Sequence, residues 1–339
     1  MDISLVLPPT PDERWELAKQ VGVTDAVVHT LEVGDGTRLY EYDDLARIAD
    51  AFDDAGIDWR VVEGGVPLTD RTRLARPGRD EEVERFCTLL RNLGDLGVPV
   101  VCYDWMAGLR WARTDTAVES RGGSLTTAYD DEAMNAGPAP DAEIPEFTEA
   151  ELWENLEYFL ERVVPVAEEA GVRLGLHPDD PPRDEVRGAP RIVNDSEAYE
   201  RVLDIYDSEH NGITFCQGNF AAMGVDVPET IRQFGDRINF VHFRDVDGDA
   251  DAFVETWHDA GPTDVGAAMA AYEDVGFEGP ARPDHVPTMA TEDNDNPGYE
   301  TLGRLFAVGY MRGLLDRGPA GGADDAGPAD EPVDGVADE

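Results

Sequence analysis

Lysine is almost absent from this chain of 339 residues. Lys19 stands alone, and arginine supplies the rest of the positive charge. Against 27 Lys and Arg stand 73 Asp and Glu, a formal net charge of −46. A balance this acidic leaves no basic footprint, so neither nucleic acid nor an anionic membrane is expected as a partner. Cysteine is also sparse, with Cys87, Cys102 and Cys216. A small odd number argues against a disulfide framework and for a reducing compartment, so a cytoplasmic location is expected. No run of 18 apolar residues occurs, which excludes a transmembrane helix of ordinary composition. Met1-Asp2-Ile3-Ser4 has no positive n-region, and no secretory signal is expected. The acid is spread through every predicted helix. That pattern reads as a solvated surface adapted to high salt, where like-charge repulsion is screened.

What is present is a rhythm of short apolar runs and longer amphipathic stretches. The predicted strands are 3–7, 26–30, 59–63, 99–103, 173–177, 213–216, 238–243 and 278–282. Helices are predicted to start near Pro11, Tyr42, Asp80, Thr148, Ser196, Pro228, Asp264 and Tyr299. Proline early in a helix and the Asp195-Ser196-Glu197 cap mark several of these starts. Eight strand–helix units predict parallel pairing and right-handed crossovers, an α/β fold closed as a (β/α)8 barrel. A single domain over 1–316 is expected, followed by a disordered acidic tail over 317–339. Two connections are too long for ordinary loops, 105–146 and 179–194. Both follow strands, so both are expected over the catalytic face.

Chemistry concentrates at strand ends. His177, Cys216, His242 and Asp284 each sit at or just after the end of a predicted strand, spaced 39, 26 and 42 residues apart. Strand C-termini converge on one face of such a barrel, so these four are expected to bind one divalent metal. Imidazole, thiolate and carboxylate together suit Mn²⁺, Fe²⁺ or Zn²⁺ better than Mg²⁺ or Ca²⁺. His29 ends an earlier strand and reads equally as core or as an outer neighbour of the site. His258 lies in a loop within reach. His210 precedes a strand and reads as surface. Cys87 reads as helix packing, and Cys102 as part of the barrel wall.

Several strings resemble the mannonate dehydratase family: His177-Pro178-Asp179-Asp180-Pro181-Pro182, Val241-His242-Phe243-Arg244, Arg282-Pro283-Asp284-His285 and Gly303-Arg304-Leu305-Phe306. The resemblance runs in order over roughly residues 1–316. It implies a xylose-isomerase-like TIM barrel, a hydro-lyase, and Mn²⁺ or Fe²⁺ on the four residues named. The implied reaction converts D-mannonate to 2-keto-3-deoxy-D-gluconate, a step of hexuronate breakdown, and the implied assembly is a homo-oligomer. Proton transfer would fall to His285 or Tyr299. Arg113, Arg282 and His258 are the candidates for holding the sugar acid. The chain departs from the family at Asp104-Trp105-Met106-Ala107-Gly108, at Val286 and at Leu7-Pro8-Pro9. Two other readings remain open, a metal-dependent isomerase or epimerase on the same barrel and a non-catalytic metal-binding barrel. A second set of carboxylate donors at strand ends would favour the isomerase, and Glu63 is the one obvious extra.

Overall fold

The computed structural model describes residues 1–31, 37–138 and 144–317. The predicted tail therefore lies outside the described residues, apart from Arg317. Eight parallel strands close a barrel: β1 (Asp2–Val6), β2 (Asp25–Val28), β3 (Asp58–Glu63), β4 (Val100–Tyr103), β5 (Arg173–Leu176), β6 (Asn211–Cys216), β7 (Ile238–Phe243) and β8 (Pro280–Pro283). Closure comes from β1 against β8, with Asp2 beside Pro280 and Ile3 beside Ala281. All eight predicted strands are present, with no end shifted by more than two residues.

The side-chain period of two sorts each strand into two faces. Val27, Val61, Val100, Cys102 and Phe240 point inward and pack as a small cluster inside the barrel. Val28, Val62, Val101, Phe215, Val241 and Ala281 point outward, into the large core shared with the helices. Cys102 therefore faces the barrel interior, where Thr214 donates to its sulfur at 3.2 Å, rather than sitting within the wall. Gly175 is inward too. A Cβ there would lie 2.6 Å from Thr214 Oγ1, so only glycine leaves this layer closed.

Helices cover the outside with one apolar stripe each. The helix Glu149–Ala170 starts with a capping box between Thr148 and Glu151. It buries Leu152, Leu156, Phe159 and Val163, while Glu154, Glu157, Glu161 and Glu168 face outward. No described helix is long and apolar enough to cross a membrane. Folding gathers the exposed acid onto a smaller surface than the unfolded chain has, so salt should stabilise the fold. The melting midpoint should rise as KCl goes from about 0.1 to about 3 M, as the screening length shrinks from about 10 Å to below about 3 Å. A flat midpoint over that range would remove the high-salt reading.

Sequence reasoning expected long connections over the top of the barrel, and the structure gives both of them sheet structure. Asp115–Glu119 and Leu125–Asp130 join Val246–Gly248 and Ala252–Glu255 in a four-stranded antiparallel sheet. The last two strands come from the connection after β7, for which the sequence predicts no strand. The connection over 179–194 folds into a short hairpin of Glu185–Val186 with Ala189–Pro190. Asp179 braces it by accepting from the backbone N–H groups of Ile192 and Val193 at 3.0 and 2.7 Å.

Candidate active site

Register brings the strand ends together. In the pairing of β6 with β7 the register shifts between Ile213 and Thr214, which sets Cys216 beside His242. Without that extra residue Cys216 would face Val241, whose side chain points away. Between β7 and β8, His242 pairs with Arg282. His177 and Asp284 each follow the end of their strand and keep its inward alternation. A cavity of about 760 Å³ opens there, lined among others by His177, His242, Asp284, His285 and Tyr299.

Ligand atoms of His177, Cys216 and His242 all lie within 4.8 Å of one another. His177 Nε2 is 3.1 Å from His242 Nδ1. His177 donates from Nδ1 to the Pro178 carbonyl at 2.7 Å, which fixes the tautomer and leaves Nε2 a lone pair aimed at the cluster. Asp284 Oδ2 stands 3.5 Å from His242 Nδ1 and 3.9 Å from Cys216 Sγ. Donors about 2.1–2.3 Å from one ion are separated by about this much, so the set fits a single divalent metal.

Electrostatics separates the two candidate thiols. Burial raises the Cys216 thiol, but Arg244 Nε at 3.2 Å and the two imidazoles bring it well below the usual thiol range. Burial pushes the Cys102 thiol up instead. Cys102, Glu63 and His242 also cluster within 4.8 Å. Glu63, however, is gripped by Arg282 at 2.7 and 2.6 Å, and lies 3.2 Å from His242 Nε2. It orients the imidazole from behind and leaves Nδ1 facing the other donors. Asp284 is likewise kept ionised. Burial raises its carboxyl, and Arg282, His285 and His242 bring it well below its ordinary value.

Beside the metal donors, His285 holds a backbone φ of 39°, in the left-handed region that residues other than glycine seldom adopt. Its Nε2 lies 2.8 Å from the Tyr299 hydroxyl and its Nδ1 2.8 Å from Glu255 Oε1. Trp111 stands over both rings, with centroids 5.6 and 6.5 Å away. Burial pushes the Tyr299 hydroxyl up, and the Asp284 charge adds to it, so the phenol keeps its proton at neutral pH.

The substrate-holding candidates are placed differently. Arg282 is committed to Glu63 and, at 2.7 Å, to Asp284. Arg113 is buried between Asp180, at 2.6 and 3.1 Å, and Glu255, at 2.6 Å. His258 is not among the residues lining the cavity; it is fully buried over Phe243, with ring centroids 5.9 Å apart. His29, by contrast, lines the cavity. Sequence reasoning missed Arg244. It links Asp180, Glu255, Asn219 and Cys216, and so ties the antiparallel sheet to the thiolate.

Burial lowers the His258 imidazole to about 4. An unfolded histidine titrates near 6.5, so between these values the unfolded chain takes up a proton that the folded one refuses. This contribution is fully present above pH 6.5 and is lost as pH falls toward 4, reaching about 3 kcal/mol at about 1.4 kcal/mol per unit. Replacing His258 with Gln should flatten the fall in melting midpoint over that window. An identical pH profile would show that His258 is not the group responsible.

The D-mannonate dehydratase (UxuA) family model matches residues 14–144 and 142–319. The chain belongs to the D-mannonate dehydratase family. Mannonate dehydratase from Streptococcus suis (strain 05ZYH33) is 33% identical over 336 residues, covering 91% of this chain and 90% of that one. The Thermotoga maritima relative is 34% identical over 337 residues, covering 89% and 92%. The crystal structure of mannonate dehydratase from S. suis serotype 2 superposes with a TM-score of 0.87 over 98% of this chain and 99% of that one. A D-tagatose 3-epimerase-like protein shares the barrel alone, with a TM-score of 0.60 at 15% identity over 93% and 97%. The family's fold, expected from the sequence as a xylose-isomerase-like barrel, is thus the fold observed.

Proposed function

We propose that this protein dehydrates a sugar acid, with D-mannonate as substrate and 2-keto-3-deoxy-D-gluconate as product. The observation that carries the reading is the convergence of His177, Cys216, His242 and Asp284 beside the His285–Tyr299 pair in one cavity. When bound there, Mn²⁺ or Fe²⁺ supplies Lewis-acid stabilisation of the charge that develops on the carboxylate as the α proton leaves. Arg244 and Arg282 keep Cys216 and Asp284 anionic, ready to act as donors.

Tyr299 and His285 share a hydrogen bond, so they move protons as a pair. The C2 proton passes to the Tyr299 oxygen while the phenol's own proton passes to His285 Nε2. Glu255, at 2.8 Å from Nδ1, faces the resulting imidazolium. The proton then returns to the hydroxide leaving C3, which departs as water. The enol left behind releases the proton on O2 and takes one at C3, becoming the 2-keto-3-deoxy acid. The isomerase alternative gains nothing from Glu63, which Arg282 already occupies on both oxygens.

Product analysis tests the reading. Protein supplied with Mn²⁺ or Fe²⁺ should convert D-mannonate to a 2-keto-3-deoxy acid identifiable by NMR. D-gluconate and D-altronate, epimeric at C2 and C3, should react far more slowly. Interconversion of neutral aldoses and ketoses, with no loss of water from any hexonate, would replace the dehydratase by the isomerase.

A further inference from the structure

The two arginines expected to hold the sugar acid are ion-paired with protein carboxylates. Arg304, a guanidinium that lines the cavity, is not. Arg304 lies one turn into the helix Thr301–Arg317 and lines the cavity with Asp284, His285 and Tyr299. Its one hydrogen bond among the described residues runs from Nη1 to the Val6 carbonyl at 3.2 Å. No carboxylate of a described residue lies within ion-pair distance of it. Its Cζ is 5.8 Å from the centre of the Tyr299 ring, so it stands beside the group that moves the proton.

The seating of this residue is built. Gly303 lets the helix start press against the segment after His285. A Cβ at Gly303 would meet the Pro287 carbonyl oxygen at 2.5 Å and the Val286 Cβ at 2.7 Å. With the backbone pinned there and one donor on the end of β1, the guanidinium spans the cavity wall. An arginine carries five N–H donors in a fixed fork, and among the described residues only one of them is taken. Burial, with the nearby charge of Arg282, lowers the group to about 10, so it is still cationic at neutral pH and under-compensated. The residue is half-buried, and its open donors face the cavity, where an anionic group of a ligand can take them.

We propose that Arg304 is the residue that binds the substrate's carboxylate, gripping it from the β1 side of the cavity, next to the strand that Asp284 follows. The assignment rests on the sugar-acid reading above. A fork-shaped cation at that position distinguishes an aldonic acid from the neutral sugar of the same stereochemistry. It also meets the extra negative charge that the carboxylate gains as the α proton leaves.

The test is a binding comparison on the metal-loaded protein that involves no turnover. The probes are the 3-deoxy analogue of D-mannonate, which lacks the leaving hydroxyl, and its primary amide. Calorimetry gives Kd for both with wild type, Arg304→Met and Arg304→Lys, each checked for an unchanged melting midpoint. Wild type should prefer the acid. Arg304→Met should lose about 10- to 100-fold of that preference, the factor set by a charge-assisted hydrogen bond, with the amide affected much less. Arg304→Lys should keep part of it; should the Met variant not fold, a Lys variant with a reduced preference supports the assignment and one with the full preference overturns it. A folded Arg304→Met with the wild-type preference intact overturns it alone. Wild type that binds neither probe overturns the sugar-acid reading, and this assignment with it.

Discussion

Tyr299→Phe should retain bound metal and sugar-acid binding yet lose kcat by about 10²-fold or more. The substitution removes one oxygen and little volume, so the ring keeps its contacts with His285 and Trp111, whose centroids lie 5.1 and 6.5 Å away. What disappears is the 2.8 Å hydrogen bond that couples the phenol to His285 Nε2. If the pair works as one relay, His285→Gln should cost a similar factor, and the double variant little more than either single one. Additive losses would show two groups acting separately. An unchanged kcat in Tyr299→Phe would make the tyrosine a packing residue.

Cys216→Ala should reduce metal content and activity together. The thiolate is a direct donor, so metal affinity should fall by more than the roughly 10- to 100-fold typical of losing an outer partner. The loss also strips Arg244 of one of its anionic neighbours, 3.2 Å away. Asp284 Oδ2, also 3.2 Å from Arg244 Nε, is the acceptor left for it, which draws that carboxylate further from the donor set. Cys216→Asp restores a negative donor of harder character, and should recover binding preferentially for Mn²⁺ over Zn²⁺. Elemental analysis settles the point. Full occupancy in Cys216→Ala would take the cysteine out of the ligand set.

The donors were legible because the barrel rule needs only two things, a strand and its C-terminal end. His177, Cys216, His242 and Asp284 satisfy it without any knowledge of register. Their inward parity was legible too, since Phe240 and His242 alternate with Val241 and Phe243. The shift that sets Cys216 beside His242 was not legible, because nothing in Ile238-Asn239-Phe240 marks Asn239 as an extra residue. Glu255 was passed over because its strand is four residues long and sits in a connection. Its exposure does alternate, with Phe253 and Glu255 buried and Ala252 and Val254 exposed, so the signal was present but short. The arginines show the harder limit. A sequence states which guanidiniums exist but not which carboxylates they meet. Arg113 and Arg282, which could equally hold substrate or form ion pairs, are paired, while Arg304, read as part of a family string, carries the open fork.

Chelation and reloading put the central claim to its most direct test. Metal-stripped protein, held in roughly molar KCl to screen its charge, should leave D-mannonate untouched. Adding Mn²⁺ or Fe²⁺ should restore release of a 2-keto-3-deoxy acid in proportion to the ion bound, saturating at one ion per chain. Undiminished dehydration by protein shown to be free of metal, or saturation without any product, would contradict the account.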